Sequence, residues 1–106
     1  MEFAKYVAFV AHTFGDLVDL YATINEPRIV CQHRCMTERG EFPPGINDPE
    51  PFMTSLKNFA LAPGVAYDQV KRWDRTSISE KGPATVGIVV ALMHYKPADT
   101  SNPADV

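Results

Sequence analysis

Thr23-Ile24-Asn25-Glu26-Pro27 places an amide and a titratable carboxylate at the carboxyl end of an alternating stretch that stops at the proline. In barrel and open α/β folds active-site groups gather at that end of a strand, because the loops above it form the cleft. A bare glutamate there is more often a solvated loop residue or a helix-capping partner, so the pair alone does not define a site. A second grouping is Cys31-Gln32-His33-Arg34-Cys35. Two thiols and an imidazole are three ligands for zinc, the thiols alone would make a local disulfide, and two reduced thiols in a loop is the plainest reading. No fourth ligand stands at a recognised spacing, so no metal is assigned. A serine triad, a phosphate-binding glycine loop and a dinucleotide fingerprint are all missing from the sequence.

The elements that would position these residues follow from periodicity. Phe3, Ala4, Val7, Ala8, Val10, Ala11 and Phe14 share one broad helical face, which predicts a helix over 2–14 with Gly15 as its stop. From Leu17 to Ile24 the alternation of Val18, Leu20, Ala22 and Ile24 with Asp19, Tyr21 and Thr23 predicts a strand, closed by Pro27. No period survives from Arg28 to Pro51, and the proline and glycine density predicts a long loop. A helical pattern then runs from about Pro51 through Phe52, Leu56 and Phe59 to Tyr67, Val70 and Trp73. Pro63-Gly64 falls inside it, and an interior proline costs about 3 kcal/mol, so a kink or a pair of helices is expected. After a polar connector, Ala84 to Leu92 is short, β-branched and apolar on both faces, as in a buried parallel strand. The order helix, strand, loop, helix, strand contains one parallel βαβ unit and puts the chain in the α/β class. Two parallel strands leave two open edges and an apolar face, the form of a slice of something larger.

Composition bounds the function classes. The 106 residues are 45% hydrophobic and 22% charged, with 10 Lys+Arg against 13 Asp+Glu for a net charge of −3. That describes one globular domain, residues 1–106, with Pro97 to Val106 read as a flexible tail. Mild acidity without a basic stripe gives no reason to expect nucleic acid or an anionic membrane as partner. The longest apolar run, Val86 to Met93, is far short of the ~20 residues a spanning helix needs. With no signal-peptide pattern and two cysteines read as reduced, a cytoplasmic location is expected.

Asn25-Glu26-Pro27, with Phe14-Gly15-Asp16-Leu17-Val18-Asp19-Leu20-Tyr21-Ala22-Thr23-Ile24 before it, resembles the acid/base segment of glycoside hydrolase family 1, the retaining β-glucosidases and β-galactosidases. The resemblance continues through Phe42-Pro43-Pro44-Gly45, Ala66-Tyr67-Asp68-Gln69-Val70-Lys71 and Val86-Gly87-Ile88, in the manner of the archaeal branch. It implies a partial (β/α)₈ barrel: the third helix, the fourth strand and its loop, the fourth helix and the fifth strand. It further implies that Glu26 is the general acid/base, that Asn25 hydrogen-bonds the sugar 2-hydroxyl, and that no cofactor is needed. His33, Arg34 and Glu38 follow in the loop as candidate contacts to the leaving group, and His94 and Tyr95 follow the second strand on the face expected to carry Glu26.

Retention needs a second carboxylate about 5–5.5 Å from the first, and the family brings it from a later strand that this sequence does not contain. Ile78-Ser79-Glu80-Lys81-Gly82 echoes that motif but precedes a predicted strand instead of ending one. The expectation is therefore a β-glycosidase site for small carbohydrates that needs self-association, with Glu38, Glu41, Asp48 or Glu80 as the missing carboxylate. Homo-oligomerisation would also cover the open strand edges. The alternatives are a non-catalytic fragment that at most binds sugar and a helper subunit of a split glycosidase.

Overall fold

The computed structural model describes residues 1–36, 42–76, 83–92, 94, 96–98 and 101–102. Helix α1 spans Glu2–Phe14, a 3₁₀ turn follows at Gly15–Leu17, and strand β1 is Leu20–Asn25. Helices α2, Pro27–Cys35, and α3, Pro49–Trp73, then lead to strand β2, Thr85–Val89. β1 and β2 pair in parallel, Leu20 with Thr85, Tyr21 with Val86 and Ala22 with Gly87, and an irregularity between Ala22 and Asn25 brings Asn25 opposite Val89. Thr23 Oγ1 donates to the Gly87 carbonyl at 2.9 Å beside that irregularity. The parallel pair with its connecting helices is a segment of the kind from which a (β/α)₈ barrel is built.

α1 ends where expected, at Phe14, yet Gly15 is not a left-handed stop: its φ of −60° continues into the 3₁₀ turn. Glycine is required there for space. A methyl group on Gly15 would sit 2.7 Å from Asp74 Oδ1. The turn takes up Leu17, so β1 starts three residues later than the alternation predicts.

The predicted loop from Arg28 to Pro51 is corrected over its first third, which is α2. Pro27, read as a strand terminator, is also the first residue of that helix, where its missing N–H costs nothing. Cys31 and Cys35, one turn apart, form its buried face. The following residues close its carboxyl end: the N–H groups of Phe42, Ile46 and Asp48 donate to the carbonyls of His33, Arg34 and Cys35. Those three carbonyls have no partner within the helix, so the loop supplies the donors a further turn would have brought.

α3 is one helix of 25 residues, not two. Asp48 caps its start by accepting from the Glu50 N–H at 2.9 Å, Pro49 occupies the first position, and Lys71 and Arg72 lie in the last turn. Pro63 removes one internal hydrogen bond, but α3 packs against α1, α2 and both strands along its length, and tertiary contact carries it through the defect.

The core joins Val7 and Ala11 of α1 to Ala66 and Val70 of α3 and to Ala84, with Phe3, Tyr21 and Val86 packed against it. Helices thus cover the sheet face carrying Tyr21 and Val86. Leu20 on β1 is 72% exposed, and Ile88, Val89 and Val90 are exposed as well. The sequence predicts a strand buried on both faces over 84–92; β2 is shorter, and although Val86 packs against the core, Ile88 and Val89 are exposed. One helical layer covers one sheet face only. The radius of gyration, 18.4 Å, exceeds the ~13 Å of a compact chain of this length, as befits a slab rather than a sphere.

Candidate active site

Glu26 stands between β1 and α2 in a left-handed conformation, φ 44° and ψ 57°. A non-glycine residue held there carries on the order of 1–3 kcal/mol of strain, which the surroundings must over-determine. Here they do so from both sides: its N–H donates to the Val89 carbonyl at 2.8 Å, extending the sheet, and its carbonyl accepts from Val30 at 3.1 Å, starting α2. Its carboxylate does not cap the helix, and Glu26 lines a cavity of about 250 Å³. Pro27, Arg28 and Ile29 line that cavity from the same chain segment, and Val90, Ala91 and Leu92 line it from beyond β2.

The backbone therefore brings the ends of both strands together around Glu26, as the α/β reading requires. Asn25 is exposed at the last position of β1, directly before it. His33 is not among the residues lining the Glu26 cavity; it sits in the last turn of α2 with its ring 5.5 Å from that of Phe42. Nor does the exposed His94 line the cavity. Tyr95, Glu38, Glu41 and Glu80, with the Ile78–Gly82 motif, lie outside the described residues, as do Asp99, Thr100 and the last four residues of the expected tail. Asp48 is committed to capping α3. Among the described residues, Glu26 is thus the sole carboxylate lining the cavity.

Cys31 and Cys35 are free thiols buried on a helix, not in the loop the sequence suggested. Burial pushes the Cys31 thiol above its usual value, the neighbouring Cys35 adds to this and Arg34 opposes it. A buried, protonated thiol is an inert packing group. No three His, Cys, Asp or Glu side chains among the described residues are grouped to hold a metal ion.

His12, in the last turn of α1, has its ring edge-on to that of Trp73 at 5.9 Å. Trp73 also donates to Gln69 Oε1 and lies beneath the Arg72 guanidinium, so it ties α3 to α1. Sequence reasoning missed Arg28 and the Val90–Leu92 wall as parts of the site. Arg28 stands two residues past Glu26, and the signal that locates it is Pro27 as the first residue of a helix.

A parallel βαβ unit with an Asn-Glu pair at the carboxyl end of its first strand has the form of a slice of an α/β barrel. The chain belongs to glycosyl hydrolase family 1, whose model matches residues 1–106. It is 38% identical over 91 residues to a β-galactosidase of Pyrococcus woesei, covering 84% of this chain and 18% of that protein. A β-galactosidase of Saccharolobus solfataricus is 36% identical over 96 residues, with 91% and 18% covered. The crystal structure of a hyperthermophilic β-glucosidase from Pyrococcus furiosus superposes with a TM-score of 0.80 at 31% identity, covering 97% of this chain and 20% of that one. The chain therefore spans about a fifth of the length of the relatives it matches.

Proposed function

We propose that Glu26 is the general acid/base of a retaining β-glycosidase site for β-galactosides and β-glucosides. The observation that carries this reading is the position of Glu26: directly after β1, in a left-handed backbone conformation, making no cap bond to α2 and lining the cavity between the two strand ends. In the first step its carboxyl group gives a proton to the glycosidic oxygen as the bond to the sugar breaks; in the second the resulting carboxylate takes a proton from water. Asn25 hydrogen-bonds the sugar 2-hydroxyl, and His94, Tyr95 and His33 supply further sugar or leaving-group contacts once the cleft is complete. This chemistry asks for no cofactor or metal and suits a cytoplasmic enzyme with reduced thiols.

The covalent intermediate needs a second carboxylate, and association with further copies of the chain would bring one to the open side of the sheet while covering its edges. The second reading is a non-catalytic or helper segment of a split glycosidase, and it is favoured by the lone carboxylate among the described residues lining the cavity.

Hydrolysis of chromogenic β-galactoside and β-glucoside, assayed in each fraction of a sizing column for the chain and for Glu26→Gln, separates the two. Activity in one oligomeric peak, lowered at least a hundredfold in the variant, supports the catalytic reading. Equal activity in both proteins, or none in any fraction, sinks it for the isolated chain.

A further inference from the structure

Parallel sheets occur almost only with both faces covered. Here α1 and α3 cover the face bearing Tyr21 and Val86, while Leu20, Ala22 and Val89 are exposed on the other. A closed barrel is the arrangement in which helices on one side suffice, because the second face closes on itself around side chains that fill it. The chain carries that architecture in whole units: α1 with β1, then α3 with β2. A barrel needs eight helices and eight strands, so two of each per chain fit four times. Among the described residues β1 pairs with β2 alone, and each strand keeps one edge open. Each half also keeps a largely apolar cavity. Tyr6, Val7 and Val10 of α1 line one of about 230 Å³ with Ala22 of β1, and Gly64 and Tyr67 of α3 line one of about 240 Å³ with Gly87 and Ile88 of β2.

We propose that the chain assembles head to tail, the open edge of β2 pairing in parallel with the open edge of β1 in the next copy, and that four copies close into one eight-stranded barrel. Such a contact joins two different surfaces and ends in a ring where its rotation closes. The next copy's α1 lies beside α3 and covers Ile88, and Leu20, Ala22 and Val89 of the four copies fill the interior in layers. The four Glu26 residues share one rim, neighbours two strand spacings apart, roughly 10 Å along the sheet. Resting on the reading of Glu26 as the acid/base, the ring supplies the second carboxylate from Glu26 of the adjoining copy. That carboxylate bonds to the anomeric carbon as its neighbour protonates the departing oxygen; water then displaces it, giving its proton to the neighbour.

Sedimentation velocity and native mass spectrometry of the full chain are expected to show one species of four chains. Tyr6→Lys burdens the α1–β1 side and Ile88→Lys the α3–β2 side; both positions are exposed and outside the buried core. Each variant alone has one spoiled surface and is expected as a single chain. Mixed, the two retain one sound surface of each kind, and a two-chain species forms that grows no further. A parent of any other mass overturns the proposal by itself, as does a variant that still assembles alone or a mixture that stays monomeric while circular dichroism shows both variants helical. A four-chain species that cleaves no glycoside would defeat the catalytic reading of Glu26 alone, and hydrolysis confined to a single-chain peak would defeat the ring alone.

Discussion

Asp74 ends α3 with 6% of its surface exposed, and neither carboxylate oxygen has a hydrogen-bond partner among the described residues. Around it lie Gly15, which leaves room for it, and Tyr21, whose buried hydroxyl also lacks a partner. Gly15→Ala drives a methyl into that carboxylate and is expected to lower stability by about 1–3 kcal/mol, read as a shift of the urea midpoint. Burial, and then the proximity of Asp74, push the Tyr21 phenol from 10.0 up to about 12. Because the folded value lies above the unfolded one, folding favours the neutral phenol. The resulting stability is complete below pH 10 and is lost as pH rises from about 10 through about 12. Thermal melts at pH 8 and pH 11.5 should show a larger alkaline drop for the unaltered chain than for Tyr21→Phe, which has no phenol to ionise; equal drops would refute the assignment.

Among the elements, α3 supports the site by spanning the sheet from Asp48 to the Asp74 corner. Its two ends and its middle make opposite demands on stability. Asp48→Ala removes the cap on the Glu50 N–H and is expected to cost about 1 kcal/mol. Pro63→Ala restores an internal hydrogen bond and relieves the clash with the preceding turn, so it should raise stability, by up to about 3 kcal/mol. Denaturation in urea measures both, and a Pro63→Ala chain no more stable than its parent would mean that the helix already accommodates the proline by bending. The order of elements could be read from periodicity, except at α2. Nine residues with a proline at the start and two cysteines for a buried face give too short a pattern to stand out from a loop.

Over the whole molecule the decisive feature is the uncovered sheet face, on which Leu20, Ala22 and Val89 are exposed. An apolar surface of this kind on a two-stranded sheet with open edges promotes association. Leu20→Lys puts a charge on that face, at the start of β1, while touching none of the buried core, and it is expected to move the chain toward monomer in analytical ultracentrifugation. If the association is what completes a glycosidase site, hydrolysis falls with it; a variant with unchanged mass would place the contact elsewhere.

By itself the sequence determined the family, the α/β class, the strand that ends in Asn25-Glu26 and the helix over 2–14, because each is written in a local motif or a period several residues long. Tertiary structure alone decided which face of the sheet is covered. The alternation of Leu20 and Ala22 with Tyr21 and Thr23 marks two faces, but only the packing of α1 and α3 selects the one bearing Tyr21. It also decided why position 15 is glycine, since the obstructing carboxylate comes from Asp74, far along the chain. The left-handed turn at Glu26 belongs there too: it is held by a carbonyl from the other strand, and no pattern local to residue 26 reports a partner at Val89.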